Sequence, residues 1–285
     1  MSRAFSGLTA SLFVVIASLL LLAPPASAAG GRIVYVGVRD KKTAIYSIRA
    51  DGGPISEVPG TNGGSHPALS RDGRKVVFTA PVAGGTEIHT IAIDGGGEKQ
   101  VTDSRETYDY EPAFSDDGSR ITFVRNHQIF VIDADGSHPK QVTGEGRNND
   151  PAFSPDGRRI VFMRAGQGEQ DIISIDSDGG DLKNLTRQTS TGTGHPVYSP
   201  NGKRIAFESF ARGGSRIVTV DAGDGGDKKV LGLGREPWFA PDGSRLAFIR
   251  NDNLLTMAAD GSDVVPLDTP PDQVGFSDFD PSWGG

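Results

Sequence analysis

One thirteen-residue phrase, written several times over, constrains the fold of this chain more than any other feature. The segment Asp150-Pro151-Ala152-Phe153-Ser154-Pro155-Asp156-Gly157-Arg158-Arg159-Ile160-Val161-Phe162 has relatives beginning at His66-Pro67, Glu111-Pro112, His195-Pro196 and Glu236-Pro237, and a partial one at Asp280-Pro281. The repeat prolines lie 45, 39, 45, 41 and 44 residues apart. That is the period of a four-stranded propeller blade.

Each unit divides into four short strands. The x-Pro pair suits the start of a strand, where a missing backbone donor costs little. The Pro-Asp-Gly type of tetrad is a turn with a mechanism: proline presets φ, aspartate bonds its own backbone and glycine takes φ > 0. A basic residue and an apolar strand ending in Phe follow, as in Arg159 to Phe162. A third strand runs into an Asp-x-Asp-Gly turn at Asp133 to Gly136 and Asp176 to Gly179. These turns lack the glutamate of an EF-hand loop, and Asp-Gly is a strong hairpin signal, so they read as hairpins and not as calcium ligands. The fourth strand is short and polar, as at Lys140 to Thr143, which suits an outer edge that must avoid edge-to-edge pairing.

The two ends of the chain complement each other. Gly31-Arg32-Ile33-Val34-Tyr35 matches the turn glycine and second strand of the repeat, and Asp280 to Gly285 matches its first strand. The expected fold is all-β, a six-bladed β-propeller of four-stranded antiparallel blades, its ring closed by pairing of the N- and C-terminal segments. On this reading the last five residues are structural. Phe114, Phe153, Tyr198, Phe239 and Trp283, with Leu69 in the remaining blade, occupy one repeat position and are expected to pack between blades.

Ahead of the repeats, Arg3, an apolar run from Leu8 to Ala23, Pro24-Pro25 and Ala26-Ser27-Ala28 read as a secretory signal peptide cleaved after Ala28. The expected organisation is a signal peptide over residues 1–28 and one propeller domain over 29–285. It would act outside the cytoplasm, periplasmic or secreted, with no membrane span left after cleavage. The absence of cysteine removes disulfides, thiol chemistry and cysteine metal sites, so stability must come from packing. A formal net charge of −7 offers no general basic face of the kind nucleic acid requires.

The unit x-Pro-x-Phe-Ser-Pro-Asp-Gly-x-x-Ile-x-Phe resembles the repeat of the TolB-type propellers, a family loosely related to WD-repeat proteins. The likeness runs over Gly31 to Gly285. The family's namesake is a periplasmic component of an envelope complex and carries an α/β domain ahead of its propeller, for which no match is found in this sequence. The resemblance implies an exported propeller that binds a protein partner, such as an envelope component, or another ligand. We expect it to act as a monomer.

Candidate site residues come from the repeat itself. The residues before the six prolines, His66, Glu111, Asp150, His195, Glu236 and Asp280, lead the innermost strands and are expected at one mouth of the central channel. Their order places the two histidines opposite each other, and likewise the glutamates and the aspartates. Such a ring can serve partner electrostatics, or it can cap neighbouring loops. It names no cofactor, and a divalent cation in the channel is the one it could attract. Tyr108, Asp109, Tyr110 and Arg147 precede inner strands on the same face and are candidate contacts, since tyrosine and arginine anchor interfaces. No catalytic motif is present: no Gly-x-Ser-x-Gly elbow, His-Glu-x-x-His, P-loop or Rossmann fingerprint. The expected function is a non-enzymatic binding module. The alternative is a propeller enzyme acting on polysaccharide, a lyase or glycan hydrolase, with His66 or His195 and neighbouring carboxylates as acid and base.

Overall fold

A computed structural model describes residues 31–104, 107–166, 169–187, 192–267 and 281–285. The expected signal peptide and Asp280 lie outside these residues. Blade 1 contains β1 (Arg32–Arg39), β2 (Lys42–Arg49) and β3 (Ser56–Glu57); blade 2 contains β4 (Ser65–Leu69), β5 (Lys75–Val82), β6 (Gly85–Ala92) and β7 (Lys99–Gln100). Blade 3 follows with β8 (Asp109–Phe114), β9 (Arg120–Arg125), β10 (Gln128–Asp133) and β11 (Lys140–Gln141), and blade 4 with β12 (Arg147–Phe153), β13 (Arg159–Ala165), β14 (Gln170–Asp176) and β15 (Lys183–Asn184). Blade 5 is β16 (Thr193–Tyr198), β17 (Arg204–Ser209), β18 (Arg216–Asp221) and β19 (Lys229–Leu233). Blade 6 is β20 (Arg235–Phe239), β21 (Arg245–Arg250), β22 (Asn253–Ala258) and β23 (Val265–Pro266). The final strand, β24 (Ser282–Gly284), pairs antiparallel with β1, placing Trp283 opposite Ile33, and becomes the inner strand of blade 1. This is the expected six-bladed propeller, closed as the chain ends indicated.

The apolar core is divided into six seams, one between each pair of neighbouring blades. A strand in such a ring has a neighbour on both faces, so its second strand reads as an unbroken apolar run instead of an alternating one. In β13, Ile160 and Phe162 enter the seam with blade 3, whereas Val161 and Met163 enter the seam with blade 5. The aromatic series behaves as expected, with Phe153, Tyr198, Phe239 and Trp283 buried in successive seams and Phe114 packed against another.

The turns below the inner strands are held by side chains. Ser70, Ser115 and Ser154 each donate a hydroxyl hydrogen bond of 2.6 Å to Asp72, Asp117 and Asp156, two residues on. Bonds to the ionised form lower a carboxyl pKa. The Ser115 hydroxyl, followed by the Ser119 amide and hydroxyl, holds Asp117 at about 2, while the Ser70 hydroxyl and Arg74 amide lower Asp72 and the Ser154 hydroxyl and Arg158 amide lower Asp156. These groups bind protons less tightly folded than unfolded, where aspartate titrates near 4, so their stabilisation is present above about pH 4 and is lost as pH falls below it, for Asp117 towards about 2. Thermal unfolding midpoints are therefore expected to fall through that window, and Asp117→Asn should flatten the fall. A midpoint that declines equally in both proteins would remove the Asp117 turn as a cause.

Candidate functional site

Five inner strands share one irregularity. Ser65 pairs with Thr79 and Ala68 with Val77, so His66 and Pro67 together face the single residue Phe78. The same two-against-one register sets Glu111-Pro112 against Phe123, Asp150-Pro151 against Phe162, His195-Pro196 against Phe207 and Glu236-Pro237 against Phe248. Each is a β-bulge, and proline has no ladder donor to lose there. The residue before each proline adopts a left-handed backbone, with φ of 48°, 51°, 55°, 50° and 53° for His66, Glu111, Asp150, His195 and Glu236. Such a conformation costs a non-glycine residue on the order of 1–3 kcal/mol, and such strain clusters at functional sites.

These five residues ring a cup of about 80 Å³ at one mouth of the channel. Below them the repeat prolines, Ala68, Ala113, Ala152, Val197 and Trp238 make an apolar floor. Trp238 occupies the position that the other blades fill with small residues, and it was not singled out in the sequence. Its indole packs against the seams of blades 2 and 3, 5 and 6, and 6 and 1, and its Nε1 donates to the Trp283 carbonyl at 3.3 Å. The ring thus crosses the channel axis. Beneath it lies a second chamber walled by Leu69, Phe114, Phe153, Tyr198, Phe239 and Trp283. At the far mouth Arg71 donates to Asp116 at 2.8 Å and to the Pro241 carbonyl at 2.7 Å, bridging blades 2, 3 and 6.

The rim carboxylates join neighbouring blades. Glu111 Oε2 accepts the Asp150 amide at 2.6 Å, and Asp150 Oδ2 accepts the His195 amide at 3.0 Å. Histidine at 195 interrupts this series, and the Glu236 amide donates instead to Glu208 Oε2 at 3.3 Å. Glu208 is a buried carboxylate at a position where the equivalent residues are Thr79, Val124, Met163 and Ile249. Its Oε2 lies 3.4 Å from His195 Nδ1, and Asp150 Oδ1 lies 3.9 Å from His195 Nε2, so the imidazole sits between two carboxylates. On the opposite side His66 Nδ1 meets Ser65 Oγ at 3.0 Å. Among the described residues no three His, Asp or Glu side chains are placed to hold a metal ion.

The loop candidates divide. Tyr108 is 60 % exposed on the mouth face, and Arg147 is exposed with Nη2 3.3 Å from His127 Nε2. Tyr110 is half-buried, its hydroxyl 3.1 Å from His127 Nδ1 and its pKa pushed up to about 12, chiefly by burial. Asp109 is not a surface contact. It opens β8 directly opposite Arg125, and its fully buried carboxylate receives two bonds of 2.7 and 2.6 Å from that guanidinium, which compensates the burial. Among the described residues no helix is long and apolar enough to cross a membrane.

Comparison with known proteins agrees with this architecture. The TolB beta propeller domain family matches residues 9–187 and 144–283. A TolB homolog of Chlorobium luteolum is 28% identical over 160 residues, which is 40% of this chain and 36% of that protein. The crystal structure of TolB from Acinetobacter baumannii superposes with a TM-score of 0.75 at 22% identity, covering 89% of this chain and 66% of that one. A putative TolB from Agrobacterium tumefaciens gives 0.65 at 19% identity, covering 83% and 88%. The match thus spans about a third of the Chlorobium protein and two thirds of the Acinetobacter chain. With the repeat, the six seams and the terminal closure all in register, the chain belongs to the TolB beta propeller domain family.

Proposed function

We propose that this protein is a non-enzymatic, exported binding module that engages a protein partner, an envelope component, at the face carrying the cup. The observation that carries this reading is the asymmetry of the channel. One mouth is a strained rim over an apolar floor, while the other is bridged by Arg71. Exposed aromatic rings of Tyr108 and Phe210 lie around the first mouth, and such residues anchor interfaces. The family resemblance to TolB supports an extracytoplasmic location and a protein ligand. Acid–base turnover needs a carboxyl group poised on a substrate. Here Glu111 and Asp150 each commit an oxygen to a neighbouring backbone amide, which favours binding over turnover.

Site-specific photo-crosslinking tests the reading. A probe at Phe210, beside the cup, is expected to capture a discrete envelope protein. A probe at Lys203, on the turns of the opposite face, is expected to capture none. Capture from Lys203 alone would place the partner elsewhere and end this proposal.

A further inference from the structure

A larger concavity opens beside the cup, between blades 2 and 3, with a volume of about 540 Å³. That is within the range of roughly 300–1,000 Å³ typical of small-ligand sites. Its polar lining consists of Ser65, Thr79, Thr86 and Asn126, joined by His66 and His127. Its aromatic lining is Tyr108 and Tyr110. None of these side chains carries a fixed charge, and none is aliphatic.

Two features show that the groove is built. The first is a hydrogen-bonded wall. Arg147 donates to His127 Nε2, which leaves the proton on Nδ1 facing the Tyr110 oxygen, and the Tyr110 hydroxyl in turn donates to Asn149 Oδ1 at 3.3 Å. This chain fixes the imidazole tautomer and the tyrosine rotamer before any ligand arrives. The second is Thr79, which is 2 % exposed and whose Oγ1 has no hydrogen-bond partner among the described residues. A buried hydroxyl without a partner is costly and calls for an explanation. Thr79 holds the repeat position of Glu208, whose side chain crosses to the next blade, and it faces the groove in the same way.

We propose that this groove binds a neutral sugar unit of a glycan. Among the described residues of the lining an ion would find no fixed counter-charge, and an aliphatic side chain would find no aliphatic pocket. A saccharide presents hydroxyls to Thr79, Asn126 and the histidines, and a flat C–H face to the exposed Tyr108 ring, whose body is apolar and whose tip is polar. The site borders the protein contact proposed at the cup and shares His66 and the exposed Tyr108 ring with it.

Calorimetric titration of the protein with tetra-N-acetylchitotetraose and cellotetraose tests the assignment, with tetragalacturonate as the charged control. Saturable binding of a neutral tetrasaccharide is expected, weakened at least roughly tenfold by Tyr108→Ala. Thr79→Val should also weaken binding while leaving the melting temperature unchanged or raised, because it removes an unpartnered buried hydroxyl. A merely structural threonine would not give those opposed signs. The assignment is overturned by failure of both neutral sugars to bind, by binding that survives both substitutions, or by equal binding of tetragalacturonate.

Discussion

Deleting Pro281 to Gly285 is expected to abolish cooperative folding. The lost residues are the inner strand of blade 1, and their removal strips β1 of its inner partner and exposes the seam between blades 6 and 1. The connection is dense for so short a segment. Ser282 Oγ accepts the Leu69 amide at 2.9 Å, the Gly285 amide donates to the Arg71 carbonyl at 3.0 Å, and a methyl group on Gly284 would lie 2.4 Å from the Ser70 carbonyl oxygen. The point variant Trp283→Ala measures the same closure more gently. Trp283 is 3 % exposed, so its truncation should cost about 3–5 kcal/mol. For a domain of this size that is a fall in Tm of roughly 6–20 °C. Calorimetry that finds the truncated chain melting like the full one would show the ring to be stable while open.

Trp238→Ala should produce the second large effect. The indole packs against three seams, so its loss is expected to cost about 3 kcal/mol. It also separates the cup from the chamber below, and without it the two become one cavity. The chain contains two tryptophans, so the variant leaves Trp283, on the wall of that lower chamber, as its one indole fluorophore. Acrylamide quenching of Trp283 in the folded variant should rise well above that of the buried indole in a control such as Trp238→Phe. Equal quenching in both would mean that the chamber stays sealed without the indole.

The blades, their closure and the convergence of the x-Pro residues at one mouth were legible because they are written in every repeat. What escaped was written once. Trp238 stands where Ala68, Ala113, Ala152 and Val197 stand, and Glu208 where the matching residues are uncharged. A reading that averages over copies discards such departures, although a bulky ring on a crowded axis and a carboxylate in an apolar seam are the costly choices. Asp109 failed for another reason. Its sequence neighbours Tyr108 and Tyr110 suggested a surface loop, but the inner strand of blade 3 already begins at Asp109, and only the register shows Arg125 waiting opposite. The left-handed backbones before the prolines were hidden too. Proline at the start of a strand explained the sequence well enough without a bulge.

Closure of the ring by β24 also sets an order of events for folding. Five of the six seams join blades that are adjacent along the chain, so they can form locally as each repeat becomes available. The remaining seam joins blade 6 to blade 1, and blade 1 itself is completed by pairing Ile33 with Trp283, partners separated by most of the sequence; long-range pairings of this kind form slowly. Until residue 283 arrives, β1 is an unpaired strand edge. During that interval the chain is vulnerable to mispairing with a second nascent copy, whose own β24 could complete the wrong ring.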